Sequence, residues 1–210
     1  MSKPIDSRKI EDLCPYVQSI CREHIKRAES KIPNSEVITT STLRNQERQD
    51  ILYAYGRSNK SMPIVTNAKL IKGHGFGLAY DLAVIINGVA IYKQEHLPEN
   101  YPLTCKQIWD IVGQIGEELG LEWAYRWKSF PETCHFQILE GITTQELHNG
   151  KRPSIWYKKP PSFDNKSPYE ILQSKSIINK VGFDWEDACE NNHQINGLYM
   201  KALINNYYKH

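Results

Sequence analysis

The chain has no pair of cysteines in C-x-x-C spacing, and its five cysteines are an odd number for 210 residues. This pattern argues against a disulfide scaffold and indicates reduced thiols. No apolar run approaches membrane-spanning length, and residues 1–8 contain no signal-peptide core. The net charge of +2 is too small for the concentrated basic surface typical of nucleic-acid binding. We therefore expect no membrane insertion and no nucleic-acid partner.

Apolar periodicity predicts alternating helices and short strands. Helical spacing indicates helices over residues 15–29, 45–55, 104–119 and 143–148. Strands are predicted over residues 36–42, 64–66, 78–86, 89–93, 121–123 and 135–138. Between two of these strands, Asn87-Gly88 predicts a tight hairpin, because both turn positions need positive φ.

The composition changes in the last third of the chain. Residues 151–166 are rich in proline and lysine and poor in aliphatic side chains, and helical periodicity then returns over 167–210. We predict a main domain at residues 1–153, a linker at 154–166, and a short helical module at 167–210. Some forty residues bury little surface alone, so this module either packs on the main domain or is a small binding unit.

Two stretches carry the residues of a metal site. Residues 72–81 read K-G-H-G-F-G-L-A-Y-D and residues 132–137 read E-T-C-H-F-Q. They supply His74, Asp81, Glu132 and His135. A catalytic zinc site uses three protein ligands, an open position for water, and a nearby carboxylate to move protons. Such sets also occur by chance, so spacing alone leaves the assignment open.

The first stretch resembles the S-x-H-x-x-G-x-A-x-D signature of zinc D-amino-acid peptidases. That group includes D-Ala-D-Ala carboxypeptidases, vancomycin-resistance dipeptidases and phage L-alanyl-D-glutamate endolysins. Over residues 13–153 the chain is similar to the endolysin branch, in the same order. The matching segments are T-S-T-L-R-N-Q-E-R-Q-D-I-L-Y-A-Y-G-R-S (40–58), I-V-T-N-A-K (64–69), G-E-E-L-G-L-E-W (116–123), W-K-S-F (127–130), H-F-Q (135–137) and G-K-R-P (150–153).

The resemblance implies an α+β fold, in which a small antiparallel sheet that carries a zinc site is flanked by helices. The short helical C-terminal appendage would be added to that fold. The implied site residues are His74, Asp81 and His135 as zinc ligands, Glu132 and Arg44 as catalytic residues, and Arg44 and Trp127 as substrate-binding residues. Arg44 would bind the substrate and stabilise the tetrahedral intermediate.

The chain departs from the family pattern at several positions near the site. Lys72 replaces a serine, Cys134 a proline, residues 124–126 a Gly-Gly-Asp, and Glu132 a common aspartate. Cys134 is disfavoured as a fourth ligand, because neighbours on a strand point to opposite faces. Glu122 is a rival base that we expect to support a ligand or to cap the sheet edge.

The resemblance predicts a zinc endopeptidase that cleaves the L-Ala-D-Glu bond of peptidoglycan stem peptides. We expect a monomeric endolysin, made in the host cytoplasm without a signal peptide, that acts on the wall after membrane permeabilisation. I-I-N-K-V-G-F-D-W (177–185) is similar to helical repeats of phage wall hydrolases, which suggests wall binding. The alternatives are a D,D-carboxypeptidase and a non-catalytic wall-binding protein. A structural zinc site would need a fourth protein ligand, which the sequence does not show.

Overall fold

The computed structural model describes residues 3–163, and in that part of the chain helices flank one five-stranded antiparallel sheet. The helices are α1 (Pro15–Lys31), α2 (Gln46–Ala54), α3 (Cys105–Glu118) and α4 (Thr144–His148). The strands are β1 (Ser35–Ser41), β2 (Ala79–Ile86), β3 (Val89–Ala90), β4 (Glu122–Trp123) and β5 (His135–Gln137). This is the α+β fold that the resemblance implies.

Strand β2 is the centre of the sheet. The strand order is β1-β2-β5-β4, and β3 pairs with the C-terminal end of β2. Along β2, Tyr80 contacts His24 of α1, so the helices cover that face of the strand. Because side chains alternate along a strand, Asp81 points to the opposite face. The sheet thus separates an apolar core from the face that carries the acidic residue.

Helices α1 and α3 form the core with the covered face of the sheet. Helix α3 begins at the predicted capping box, in which Thr104 and Gln107 satisfy each other's backbone N–H groups. Two glycines of α3 allow close packing on aromatic rings. A Cβ at Gly113 would lie 2.3 Å from the Trp123 ring, and a Cβ at Gly116 would lie 2.8 Å from the Phe136 ring.

The predicted hairpin is confirmed, but its second strand is shorter than predicted. Asn87 and Gly88 have φ values of 51° and 78°, the positive values that the turn requires. Strand β3 covers only Val89–Ala90, not residues 89–93. Ile91 still donates its N–H to the Val84 carbonyl at 2.9 Å, but its own carbonyl accepts from the Trp109 indole at 2.9 Å instead of extending the strand pairing.

The strand predicted at residues 64–66 is wrong. This segment lies beside α2 and is held by side chains instead of a backbone ladder. The Thr66 carbonyl accepts a hydrogen bond from the Arg57 guanidinium at 3.1 Å, and the Gln49 amide donates to the Ala68 carbonyl at 2.6 Å. Side-chain donors thus hold the backbone of this segment where the β-branched pattern predicted strand pairing.

The main compact unit extends to Ser162, beyond the boundary predicted at residue 153. Residues Ser154–Tyr157 form a 3-10 helix, and Ile155 within it is buried. The helical module predicted at 167–210 lies outside the described residues, so it stays a prediction. Within the described residues, no helix has the length and apolarity needed to cross a membrane.

Candidate active site

Three predicted ligands meet where β2 pairs with β5. His74 lies in the 3-10 helix Gly73–Phe76, and Gly77 at φ 62° turns the chain from this helix towards β2. Asp81 and His135 face each other in the β2–β5 register. Residues directly opposite on antiparallel strands project to the same face of the sheet. The register therefore brings together two of the predicted ligands, and the preceding loop adds the third.

The distances between the donor atoms suit one metal ion. Asp81 Oδ1 lies 2.9 Å from His135 Nδ1 and 3.4 Å from His74 Nε2, and these two nitrogens are 3.2 Å apart. Zinc bonds of about 2.0–2.1 Å in tetrahedral geometry hold donor atoms about 3.3 Å apart. Two imidazole nitrogens and a carboxylate oxygen are also the donor types that zinc takes. The cluster could therefore hold such an ion.

The other nitrogen of each imidazole is fixed by a neighbouring acceptor. His74 Nδ1 donates to the Thr42 carbonyl at 3.0 Å, which leaves Nε2 with its lone pair towards the cluster. His135 Nε2 lies 3.3 Å from Gln137 Oε1, and the Gln137 amide nitrogen donates to Glu122 Oε2 at 2.8 Å. Since Glu122 fixes the orientation of that amide, Gln137 Oε1 can accept from Nε2–H of His135. A bound cation would then displace the Nδ1 proton shared with Asp81 and take the Nδ1 lone pair.

The cluster holds a negative charge that a cation would meet. Burial alone would raise the pKa of Asp81, but the imidazoles of His74 and His135 hold it well below its usual range. Burial alone would lower the pKa of His135, and the hydrogen bond and charge of Asp81 outweigh burial, so that pKa is raised. Asp81 is therefore an anion at neutral pH, which is the charge that a divalent cation requires.

A cavity of about 350 Å³ opens beside the cluster, and all six predicted site residues line it. Burial raises the pKa of Glu132, the charges of His135 and Arg44 oppose that effect, and Asp81 adds to it. A carboxylate with a raised pKa suits a group that must both take and give a proton. The Trp127 ring lies 5.5 Å from the His135 ring and forms an apolar wall.

Arg44 is held firmly at the side of this cavity. Its terminal nitrogens donate to Gln49 Oε1 at 3.1 Å and to Ser41 Oγ at 2.9 Å. Its Nη2 also lies 3.8 Å from Asp81 Oδ2. The side chain is only 12% exposed and lines the cavity, which places its positive charge beside the cleft and the Asp81 carboxylate.

The structure also shows where the residues considered as alternatives or departures lie relative to the cluster. Cys134 is not part of the ligand cluster found among residues 3–163, and burial, with the charges of Asp81 and Glu132, raises the pKa of its thiol to about 12. A neutral thiol is a poor zinc ligand. Glu122 contacts Gln137 and reaches the cluster only through it. Lys72 lines the cavity, so its replacement of serine adds a cation there.

Sequence reasoning missed the residues that support the ligands. Gln137 carries a readable signal, because alternation places it on the same face as His135 two positions earlier. Ser41 and Gln49 lie within the segment that resembles the endolysins, yet neither residue type marks a site by itself. Asp6, which also approaches Arg44, lies outside every matching segment.

Comparisons with known proteins find a matching family and similar proteins. Residues 66–138 match the family described as D-alanyl-D-alanine carboxypeptidase. The peptidoglycan L-alanyl-D-glutamate endopeptidase CwlK of Bacillus subtilis (strain 168) is 33% identical over 106 residues, which are 50% of this chain and 61% of that protein. The match thus spans less than two thirds of that relative. The crystal structure of Serratia marcescens L-Ala D-Glu endopeptidase ChiX is similar with a TM-score of 0.41 and 22% identity, over 68% of this chain and 92% of that chain.

The family match at residues 66–138 and the similarity to CwlK support a relationship to the D-amino-acid peptidases. The segment that matches the family contains both histidines of the cluster, its aspartate and Glu132. Arg44 lies outside that segment, and the structure brings it to the same cavity.

Proposed function

We propose that the chain is a zinc endopeptidase that hydrolyses the L-Ala-D-Glu bond of peptidoglycan stem peptides. The observation that carries the proposal is the convergence of two imidazoles and a carboxylate on one point, at the wall of a cavity that also holds Glu132 and Arg44. The similarity to an L-alanyl-D-glutamate endopeptidase supports this choice of bond.

The protein's own residues would divide the work of hydrolysis. The chemistry that zinc supplies at such a site is polarisation of the scissile carbonyl and a lowered pKa of water. Glu132 takes a proton from the attacking water and later delivers it to the leaving amine. Arg44 stabilises the developing oxyanion or holds a substrate carboxylate through its two terminal nitrogens. Trp127 packs against the bound peptide.

The Glu132→Gln variant tests the role of the carboxylate. The amide cannot accept the proton, while the three ligands are unchanged. We expect full zinc content and a fall in turnover of about 10²–10⁴ on solubilised stem peptides. Glu99→Gln, at an exposed loop position, is the matched control and should behave as wild type. Unchanged turnover in Glu132→Gln would reassign the base, and Glu122→Gln would then be the next variant.

A D,D-carboxypeptidase is the second candidate, because the matching family carries that description. The two activities release different products from the same muropeptides. Mass spectrometry would show loss of a terminal D-Ala for the carboxypeptidase, and a new D-Glu amine for the endopeptidase. Only the second product supports our proposal.

We further propose that the protein is a monomeric phage endolysin that reaches peptidoglycan after membrane permeabilisation. The resemblance to phage endolysins over residues 13–153 supports this role. Digestion of purified walls from several bacteria, with and without chelator, tests it together with zinc dependence. Zinc content without turnover on any wall would instead favour a non-catalytic wall-binding protein. Failure of residues 167–210 to sediment with walls would contradict the predicted binding module.

A further inference from the structure

The N-terminal segment, residues 3–7, lies along the chain that leads from β1 into α2. Ser7 donates its N–H to the Leu43 carbonyl at 2.8 Å and accepts from the Thr42 N–H at 2.7 Å. The Asn45 N–H donates to the Ile5 carbonyl at 3.2 Å. These bonds fix the segment on both sides of position 44. They bring residue 6 directly opposite Arg44.

Asp6 uses both carboxylate oxygens in this arrangement. Its Oδ1 accepts a hydrogen bond from the Ser41 hydroxyl at 3.0 Å and lies 3.7 Å from Arg44 Nε. Its Oδ2 accepts from Arg48 Nε at 2.9 Å. The Asp6 side chain is 28% exposed, so water screens this charge only in part. Ser41 in turn accepts from Arg44 Nη2, which links Asp6 to the guanidinium by two routes.

Arg44 has a specific need for such a partner. Its Nε is buried and has no hydrogen-bond acceptor within the described residues, so Asp6 at 3.7 Å is the negative group beside it. At the other end of the guanidinium, Nη2 lies 3.8 Å from Asp81 Oδ2, which is outside hydrogen-bond distance. A guanidinium released from Asp6 and Ser41 could move onto Asp81 and pair with the ligand instead of with a substrate.

We propose that Asp6 is a positioning residue for Arg44, and that the N-terminal segment is part of the active site. Asp6 and Ser41 hold the guanidinium beside the cleft, so that the second N–H of each terminal nitrogen stays available to a substrate oxygen. The role assigned to Arg44 rests on the proposed function. Asp6 itself lies outside residues 66–138, which match the family.

Kinetics of the full-length, zinc-loaded protein test the coupling between the two residues. Asp6→Asn keeps the shape of the side chain and removes its charge, and we expect kcat/KM to fall about tenfold with unchanged zinc content. The kcat/KM of Arg44→Lys should be lower still. The kcat/KM of the double variant should be no lower than that of Arg44→Lys, because Asp6 acts through Arg44. Glu11→Gln, which removes the exposed pair with Arg22, is the control and should match wild type. Wild-type kinetics for Asp6→Asn, or multiplicative losses in the double variant, would overturn the proposal.

A second measurement does not depend on activity. In the wild-type protein the Arg44 Nε–H should give an NMR signal whose exchange with water is at least tenfold slower than that of a solvated arginine. Asp6→Asn should accelerate this exchange, and Asp6→Glu should restore part of the protection. Fast exchange in wild type would overturn the positioning role even if Asp6→Asn does not fold. If the wild-type protein turns over no stem peptide, the proposed function fails, and the exchange rates still decide the role of Asp6.

Discussion

His24 makes the stability of this protein depend on pH in a way that can be calculated. Its Nε2 donates to the Val112 carbonyl at 2.7 Å, so its Nδ1 accepts from the Tyr80 hydroxyl at 2.9 Å. These two bonds require the neutral ring. Burial lowers the pKa of His24 from 6.5 to about 4, although the Val112 carbonyl opposes the shift. The ring also lies against Phe136, the strand residue that follows the predicted ligand His135.

The unfolded chain takes up the proton first, since its histidine has a pKa of about 6.5. Above that pH neither state is protonated and the full stability is present. As the pH falls through the window from 6.5 to 4, the unfolded state is favoured by about 1.4 kcal/mol for each pH unit. By pH 4, the free energy of unfolding should therefore be about 3 kcal/mol lower because of His24 alone.

Urea unfolding of the full chain at pH 7 and pH 4, in the presence of chelator, measures this loss. The reference is the double variant His24→Leu/Tyr80→Phe, which removes both polar partners and leaves no unpaired Tyr80 hydroxyl. Other groups titrate in both proteins, so only the difference between their pH dependences is assigned to His24. We expect wild type to lose about 3 kcal/mol more than the variant, or about 1.5 M in urea midpoint at a slope near 2 kcal/mol/M. Equal losses would refute the reasoning.

Three further substitutions test the site and the core. Gln137→Leu removes the acceptor that fixes His135, and zinc affinity in a chelator competition should fall about 10–100-fold; unchanged affinity would show that the ring needs no such partner. Gly113→Ala places a methyl group against the Trp123 ring, so the unfolding free energy should fall by about 1–3 kcal/mol, whereas alanine at an exposed position of the same helix should have little effect. Thr104→Ala removes the capping box and should cost about 1 kcal/mol in the same unfolding assay, against no change if the cap is dispensable.

The hairpin turn and the start of α3 could be predicted from the sequence, because neighbouring residues determine both. Asn87-Gly88 permits the positive φ values of a hairpin turn, and Thr104 with Gln107 marks the start of α3. The segment at 64–66 misled the prediction, since β-branched residues also occur in loops whose backbone is held by side chains. Periodicity alone cannot distinguish the two, because the partner of Thr66 is the side chain of Arg57 and not a strand.

The candidate site was predicted as a set of residues but not as a geometry. The resemblance named His74, Asp81 and His135, and the β2–β5 register explains why two of them meet. The contact between Arg44 and Asp6 could not be predicted from the sequence, because it joins two positions with no periodic relation and no shared motif. Such contacts depend on how a coil segment lies across the surface, which single-sequence patterns do not describe.

The pairing of β2 with β5 gives a bound cation a mechanical role as well as a chemical one. Asp81 and His135 are 54 positions apart along the chain, so an ion held by both would act as a removable cross-link between distant segments. Its binding free energy would then add to the cohesion of the sheet by mass action. Metal titration followed by thermal melting would therefore report the closure of these two strands, independently of any substrate.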